Sequence, residues 1–150
     1  MTDTGLDLVI RPARPEDLPA LHEHLRAAGL PFDDVTLEDQ EFLVGFHQGT
    51  LVASVGLECR GNSALLRSLA VSDSCRGAGL GSSLYRSILA RAAERGVRRL
   101  YLLTETAEVY FAARGFSRVD RCTLPAEIAA TAQVRGGCCS KATCMVLTLS

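Results

Sequence analysis

The stretch "SCRGAGLGSSLY", Ser74–Tyr85, sets glycines at 77, 79 and 81 behind a single arginine, between two runs of different periodicity. Upstream, "NSALLRSLAV" is short and apolar, as a buried strand is. Downstream, Leu80, Leu84, Ile88 and Ala92 recur every four residues opposite Arg86, Arg91 and Arg95, and Gly96 follows. That spacing predicts an amphipathic helix with a glycine stop. A glycine loop between a strand and a helix aims backbone N–H groups, and the positive end of the helix, at an anion.

The nature of the anion follows from what the loop matches. A dinucleotide fingerprint fails at its third glycine position, which holds Ser82, and the loop lies mid-chain after a hairpin. A Walker loop is excluded because no Lys-Ser/Thr pair follows the glycines. A turn serving only tight helix–strand packing is the alternative without a ligand. The pattern Arg/Gln-x-x-Gly-x-Gly/Ala is met by Arg76, Gly79 and Gly81, and suits a pyrophosphate.

Outward from this loop the elements alternate. "LDLVIRPA" reads as a strand and "RPEDLPALHEHLRAAGL" as a helix with Pro15 in its first turn. "EFLVGFHQGTLVASVGLEC" reads as a hairpin joined through "HQGT". Past the long helix, "VRRLYLLT" and "FSRVDRC" are strands around a helix in "ETAEVYFAAR"; "PAEIAATAQ" is a short helix and "TCMVLTLS" a last strand. The 150 residues are expected to form one α/β domain, a mixed sheet covered by helices. With 47% apolar residues, 22% charged and a net charge of −1, no basic surface is expected for nucleic acid or an anionic membrane. No signal peptide or membrane-spanning run is read, so a cytoplasmic location is expected. In that setting the cysteines at 59, 75, 122, 138, 139 and 144 are read as free thiols.

The chain resembles the GNAT superfamily of acetyl-CoA-dependent N-acetyltransferases. The resemblance is carried by "IRPARPEDLPAL", "GTLVASVGLE", "LRSLAVSDSCRGAGLGSSL" and "AEVYFAARGF", the last holding Ala107, Phe111, Gly115 and Phe116 in a characteristic spacing. It implies a mostly antiparallel central sheet whose fourth and fifth strands splay, flanked by helices. It implies acetyl-CoA as cofactor, its pyrophosphate on Arg76, Gly77, Ala78, Gly79, Leu80, Gly81 and Ser82. Its pantetheine arm would lie along Leu69, Ala70 and Val71, with Thr104 and Phe111 nearby. The Leu69 amide would stabilise the oxyanion of the tetrahedral intermediate.

The usual helpers are missing. The family's glutamate base position holds Leu65, and its tyrosine acid position holds Phe111. Tyr110 is one residue off, about 100° around a helix, and is a weak substitute acid. Glu58 is a candidate base acting through water, or a solvated strand end. Arg67, two residues from Leu65, is a candidate holder of a substrate anion, or an arginine at the sheet rim. Glu105 is read as opening a helix, where a carboxylate suits the dipole. His22, His24 and His47 lack motif context.

The tail narrows the resemblance. Pro125, Ile128 and Thr131, followed by Cys138, Cys144 and Met145, are similar to the short arsenic-resistance N-acetyltransferases, with Cys139 and Lys141 departing from them. Three soft thiols, Cys138, Cys139 and Cys144, suit a metalloid; small buried residues flanking the last strand are the alternative. Zinc lacks a full ligand set, and no metal is expected. The expected activity is acetylation of a small, anionic amine, an arsenic-containing amino acid among them, by a monomer or homodimer. The alternative is a non-catalytic module that binds CoA or a metalloid.

Overall fold

The computed structural model describes residues 8–75, 79–131, 134 and 142–149. Within them the strands are β1 (Leu8–Pro12), β2 (Glu41–His47), β3 (Thr50–Arg60), β4 (Ser63–Val71), β5 (Arg99–Thr104), β6 (Ser117–Arg118) and β7 (Thr143–Thr148). The helices are α1 (Leu18–Ala27), α2 (Leu80–Glu94), α3 (Glu108–Ala112) and α4 (Ala126–Ala129). The strands hydrogen-bond in the order β1-β2-β3-β4-β5-β7-β6. Pairing of β1 with β2, β2 with β3, β5 with β7 and β6 with β7 is antiparallel; β4 with β5 is parallel. The mixed sheet read from the sequence, and the mostly antiparallel pairing that the resemblance implies, are therefore present.

The chain divides into two compact units, residues 1–57 with 68–91 and residues 58–67 with 92–150. In the first unit α1 buries Leu21 and Leu25 against Phe42 and Val44 of β2 and Leu51 of β3. Leu21 and Leu25 are four residues apart, so they share one face of the helix. A carboxylate fixes the entry to α1. Asp17 ends the turn Pro15–Asp17 and accepts two bonds from the Arg11 guanidinium, at 2.7 and 3.0 Å, and one from the Arg14 amide at 2.7 Å. The hydrogen bonds from Arg11 hold the Asp17 carboxyl below the usual carboxylate range. The β2–β3 hairpin turns at Gln48 and Gly49, with φ of 51° and 82°. Both residues sit in the left-handed region that a tight two-residue hairpin demands.

In the second unit Leu65, Tyr101, Leu124, Ile128 and Cys144 form the core. The Pro125, Ile128, Thr131 motif is a packing device. Ile128 and Thr131 are 0% and 1% exposed, and the Thr131 hydroxyl donates to the Ile128 carbonyl at 2.7 Å. The expected helix at 105–114 starts later than its sequence suggests: Glu105 is exposed ahead of α3, which begins at Glu108. Its first turn is prepared instead by Thr104, whose Oγ1 accepts from the Ala107 amide at 2.9 Å. This follows the preference of threonine for local backbone bonds at helix starts.

Candidate active site

In the first unit, β4 leaves regular geometry at Ser68. This residue has φ of +63°, a conformation that costs a non-glycine residue on the order of 1–2 kcal/mol. Its carbonyl accepts a 2.7 Å bond from the hydroxyl of Ser54, a wholly buried residue of β3. Two residues on, the Ala70 carbonyl faces His24 Nε2 of α1 at 3.2 Å. Burial pushes the His24 imidazole below its ordinary pKa, opposed by the bond to Ala70, and because a carbonyl only accepts, Nε2–H is the donor. The Ser72 amide then donates to the Val52 carbonyl at 2.7 Å. Leu69, Ala70 and Val71 are half-buried.

After β4 the chain reaches Gly79 and α2. Gly79 has φ of +76°, and the Ser83 amide makes the first helical bond to its carbonyl at 3.0 Å. The amides of the first helical turn lack partners within the helix and point along its axis. Leu80 turns its side chain into the interior, toward Gly45: a Cβ added to Gly45 would lie 3.7 Å from Leu80. Only the Leu80 backbone can serve a ligand. A Cβ added to Gly81 would meet Val71 at 3.4 Å, so the helix start sits close on β4. Arg76, Gly77 and Ala78 lie outside the described residues, as do Cys138, Cys139 and Lys141.

In the second unit, β4 and β5 pair only from Ser63↔Arg99 to Leu65↔Tyr101 among the described residues, while β5 runs on to Thr104 against β7. Leu65 is wholly buried in the core cluster. Glu58 and Arg67 correct the sequence reading. Glu58 is not a solvated strand end: it is 2% exposed, accepting from Arg67 at 3.3 Å and from Arg60 at 2.5 Å. Nor is Arg67 at the rim of the sheet, since it is 3% exposed. Both are held as a buried ion pair, which suits mutual neutralisation better than proton transfer. The pairing had a sequence signal. A hairpin turning at Gly61 and Asn62 sets Glu58 opposite Leu65 and diagonal to Arg67, within reach of long side chains.

Tyr110 is half-buried, with the Arg114 guanidinium 3.8 Å above its ring. Phe111 is 8% exposed and meets Phe116 edge-on at 5.5 Å. The Ala-x-x-x-Phe-x-x-x-Gly-Phe motif thus contributes a packed aromatic pair. Cys144 is buried, which raises its thiol pKa, and Cys122 is exposed, its thiol donating to Asp120 at 3.2 Å. A buried thiol held protonated is a poor metalloid ligand. The described residues contain no cluster of metal-ligating side chains. None of their helices is long and apolar enough to cross a membrane.

β4 thus bends at Ser68, α2 starts just after Gly79, and β4 runs parallel to β5. The model of the Acetyltransferase (GNAT) family matches residues 8–118, and the chain belongs to that family. Solved structures agree in fold. N-acetylglutamate synthase from Neisseria gonorrhoeae, complexed with coenzyme A and N-acetyl-glutamate, superposes with a TM-score of 0.78 at 23% identity over 95% of this chain. This chain spans 35% of that one, about a third of its length. A GNAT-family acetyltransferase from Staphylococcus aureus gives 0.76 at 15% identity, covering 95% of this chain and 99% of its own. The Thermoplasma acidophilum PaiA N-acetyltransferase in complex with coenzyme A gives 0.65 at 17% identity, with 95% and 99% covered. No curated protein sequence matches the chain.

Proposed function

We propose that this chain moves the acetyl group of acetyl-CoA to the amino group of a small, anionic acceptor. The observation that carries the reading is the β4 segment after Ser68, half-buried and followed in the chain by the glycine-started helix α2. In this reading Leu69, Ala70 and Val71 receive the pantetheine arm as an added strand would be received. The pyrophosphate meets the amides from Arg76 to Ser82. A neutral amine attacks the thioester carbonyl, forming the C–N bond and a tetrahedral oxyanion that the Leu69 N–H stabilises. The C–S bond then breaks, and the proton lost by the amine is taken up by solvent or the departing thiolate.

No side chain is assigned as an obligatory proton carrier. Leu65 and Phe111 cannot titrate, Glu58 is committed to guanidinium partners, and the Tyr110 ring is covered by Arg114. Arg67 is assigned to an acceptor carboxylate in this proposal; with its side chain 1% exposed and paired to Glu58, it must turn out of that pair to meet the acceptor. N-acetyl-glutamate in the N. gonorrhoeae complex is an acylated amino acid of this kind. An aminated arsenical remains one acceptor to test, on the tail resemblance alone. The metalloid-binding alternative gains nothing from Cys144, whose thiol is buried.

The test is acetyl-CoA consumption across a panel of anionic and neutral amines, aminated arsenicals included. Turnover confined to anionic amines is expected. Arg67→Ala should raise KM for those acceptors and leave acetyl-CoA affinity intact. Equal losses toward neutral and anionic amines would remove Arg67 from the acceptor site, and no turnover with any amine would remove the reading.

A further inference from the structure

We propose that Ser54 is a positioning residue for acetyl transfer, acting through the backbone of Ser68 to aim the Leu69 amide. The inference rests on the reading of that amide as the oxyanion donor.

Ser54 is the polar residue in an apolar stretch of β3, between Val52, Ala53 and Val55, and it is 0% exposed. A hydroxyl in such surroundings needs a partner. Its partner is the Ser68 carbonyl at 2.7 Å, at a residue held at φ of +63°. The planar trans peptide joining Ser68 to Leu69 sets that carbonyl and the Leu69 N–H in opposite directions. Fixing the oxygen toward β3 therefore turns the Leu69 N–H toward the other edge of β4. A hydrogen bond received by the carbonyl also polarises the peptide and strengthens its N–H as a donor.

The next stretch is anchored in the same sense. His24 donates to the Ala70 carbonyl at 3.2 Å, and the Ser72 amide bonds Val52 of β3 at 2.7 Å. Ser54 holds the first of these three points, the one at which the backbone is least comfortable. Glycine would adopt that conformation without cost, but serine adopts it only when the surroundings compel it. The Ser54 hydroxyl supplies the compulsion.

The test uses the full chain, 15N-labelled. Ser54→Ala should lower kcat and kcat/KM together, by about tenfold for one lost buried bond, with acceptor KM unchanged. The Leu69 amide resonance should shift in the same variant. Adding Ser68→Gly to Ser54→Ala should recover part of kcat, because glycine keeps the bend without the clamp. A folded Ser54→Ala protein with wild-type kcat and an unmoved Leu69 resonance overturns the proposal, as does a loss of kcat that Ser68→Gly leaves untouched. Should Ser54→Ala fail to fold, Ser54→Cys offers a near-isosteric, weaker donor, and the same readouts decide with smaller amplitude. The two readings fail separately. Absence of turnover in the unmutated chain counts against acetyl transfer, whereas the Leu69 resonance reports on the clamp without any turnover.

Discussion

Glu58 and Arg67 have nearly the same charges as Glu23 and Arg26, yet their environments give them different weight. The first pair has side-chain exposures of 3% and 1%, the second of 62% and 59%. Removing Arg67 leaves Glu58 buried with Arg60 as its remaining partner. Arg67→Ala should therefore cost measurable stability in chemical denaturation, but less than the ~3–5 kcal/mol of a stranded buried charge. Arg26→Ala should leave the same curve unchanged, because water already solvates both groups. Losing Arg67 without loss of stability would mean that Glu58 has other compensation. A second residue-scale effect depends on pH. Asp17 has its folded pKa lowered, first by the hydrogen bonds from Arg11. Its contribution is present above the unfolded carboxylate pKa and is lost as pH falls through the lower folded value. Asp17→Asn should therefore destabilise the protein at neutral pH and flatten the acid limb of its stability curve. Urea midpoints at pH 7 and near pH 3 would show this as two curves that converge in acid.

At the scale of elements, the start of α2 is where sequence and geometry agree most closely. Gly79 has φ of +76°, and no atom among the described residues lies within 4 Å of a built Cβ, which makes backbone conformation the constraint. Gly79→Asp adds both strain and a like charge near the phosphates, and should weaken acetyl-CoA binding at least tenfold by calorimetry. Unchanged affinity would refute the phosphate site. At α4, Ile128→Ala should cost about 2–5 kcal/mol, since the side chain is wholly buried among Leu65, Tyr101 and Cys144. The order of strands and helices was legible because apolar periodicity and glycine stops are local signals. Gly96 ends α2 as read, with φ of +78° and the Val97 amide bonded back to Ala92 at 3.0 Å. Less was legible where the partner lies on another element. Nothing local in "VASVG" tells that the Ser54 hydroxyl meets Ser68, and nothing in "LLRSL" tells that Arg67 is buried. Phe111 and Cys144 were legible as positions, while their packing against Phe116 and Leu65 emerges only from tertiary contacts.

For the molecule as a whole, the absence of an assigned proton carrier has a kinetic signature. If the acceptor must arrive neutral, kcat should climb with pH along the acceptor's own amine pKa, and two amines of different pKa should give two different profiles. A common inflection for both would reveal a titrating group of the protein. Tyr110→Phe and Glu58→Gln should each cost well under the ~100-fold of a lost general acid or base. The division into two compact units can be followed separately, because each holds a shielded sulfur. Cys75, 2% exposed, belongs to the first unit, and Cys144, 4% exposed, to the second. Alkylating reagents reach such atoms only when the surrounding structure opens. A timed pulse of reagent, read peptide by peptide in a mass spectrometer, would make the two sulfurs independent clocks. Equal labelling rates in mild urea would mean the chain opens as one cooperative body; a faster Cys144 would mean that the half holding Arg67 loosens first, with the other half still intact.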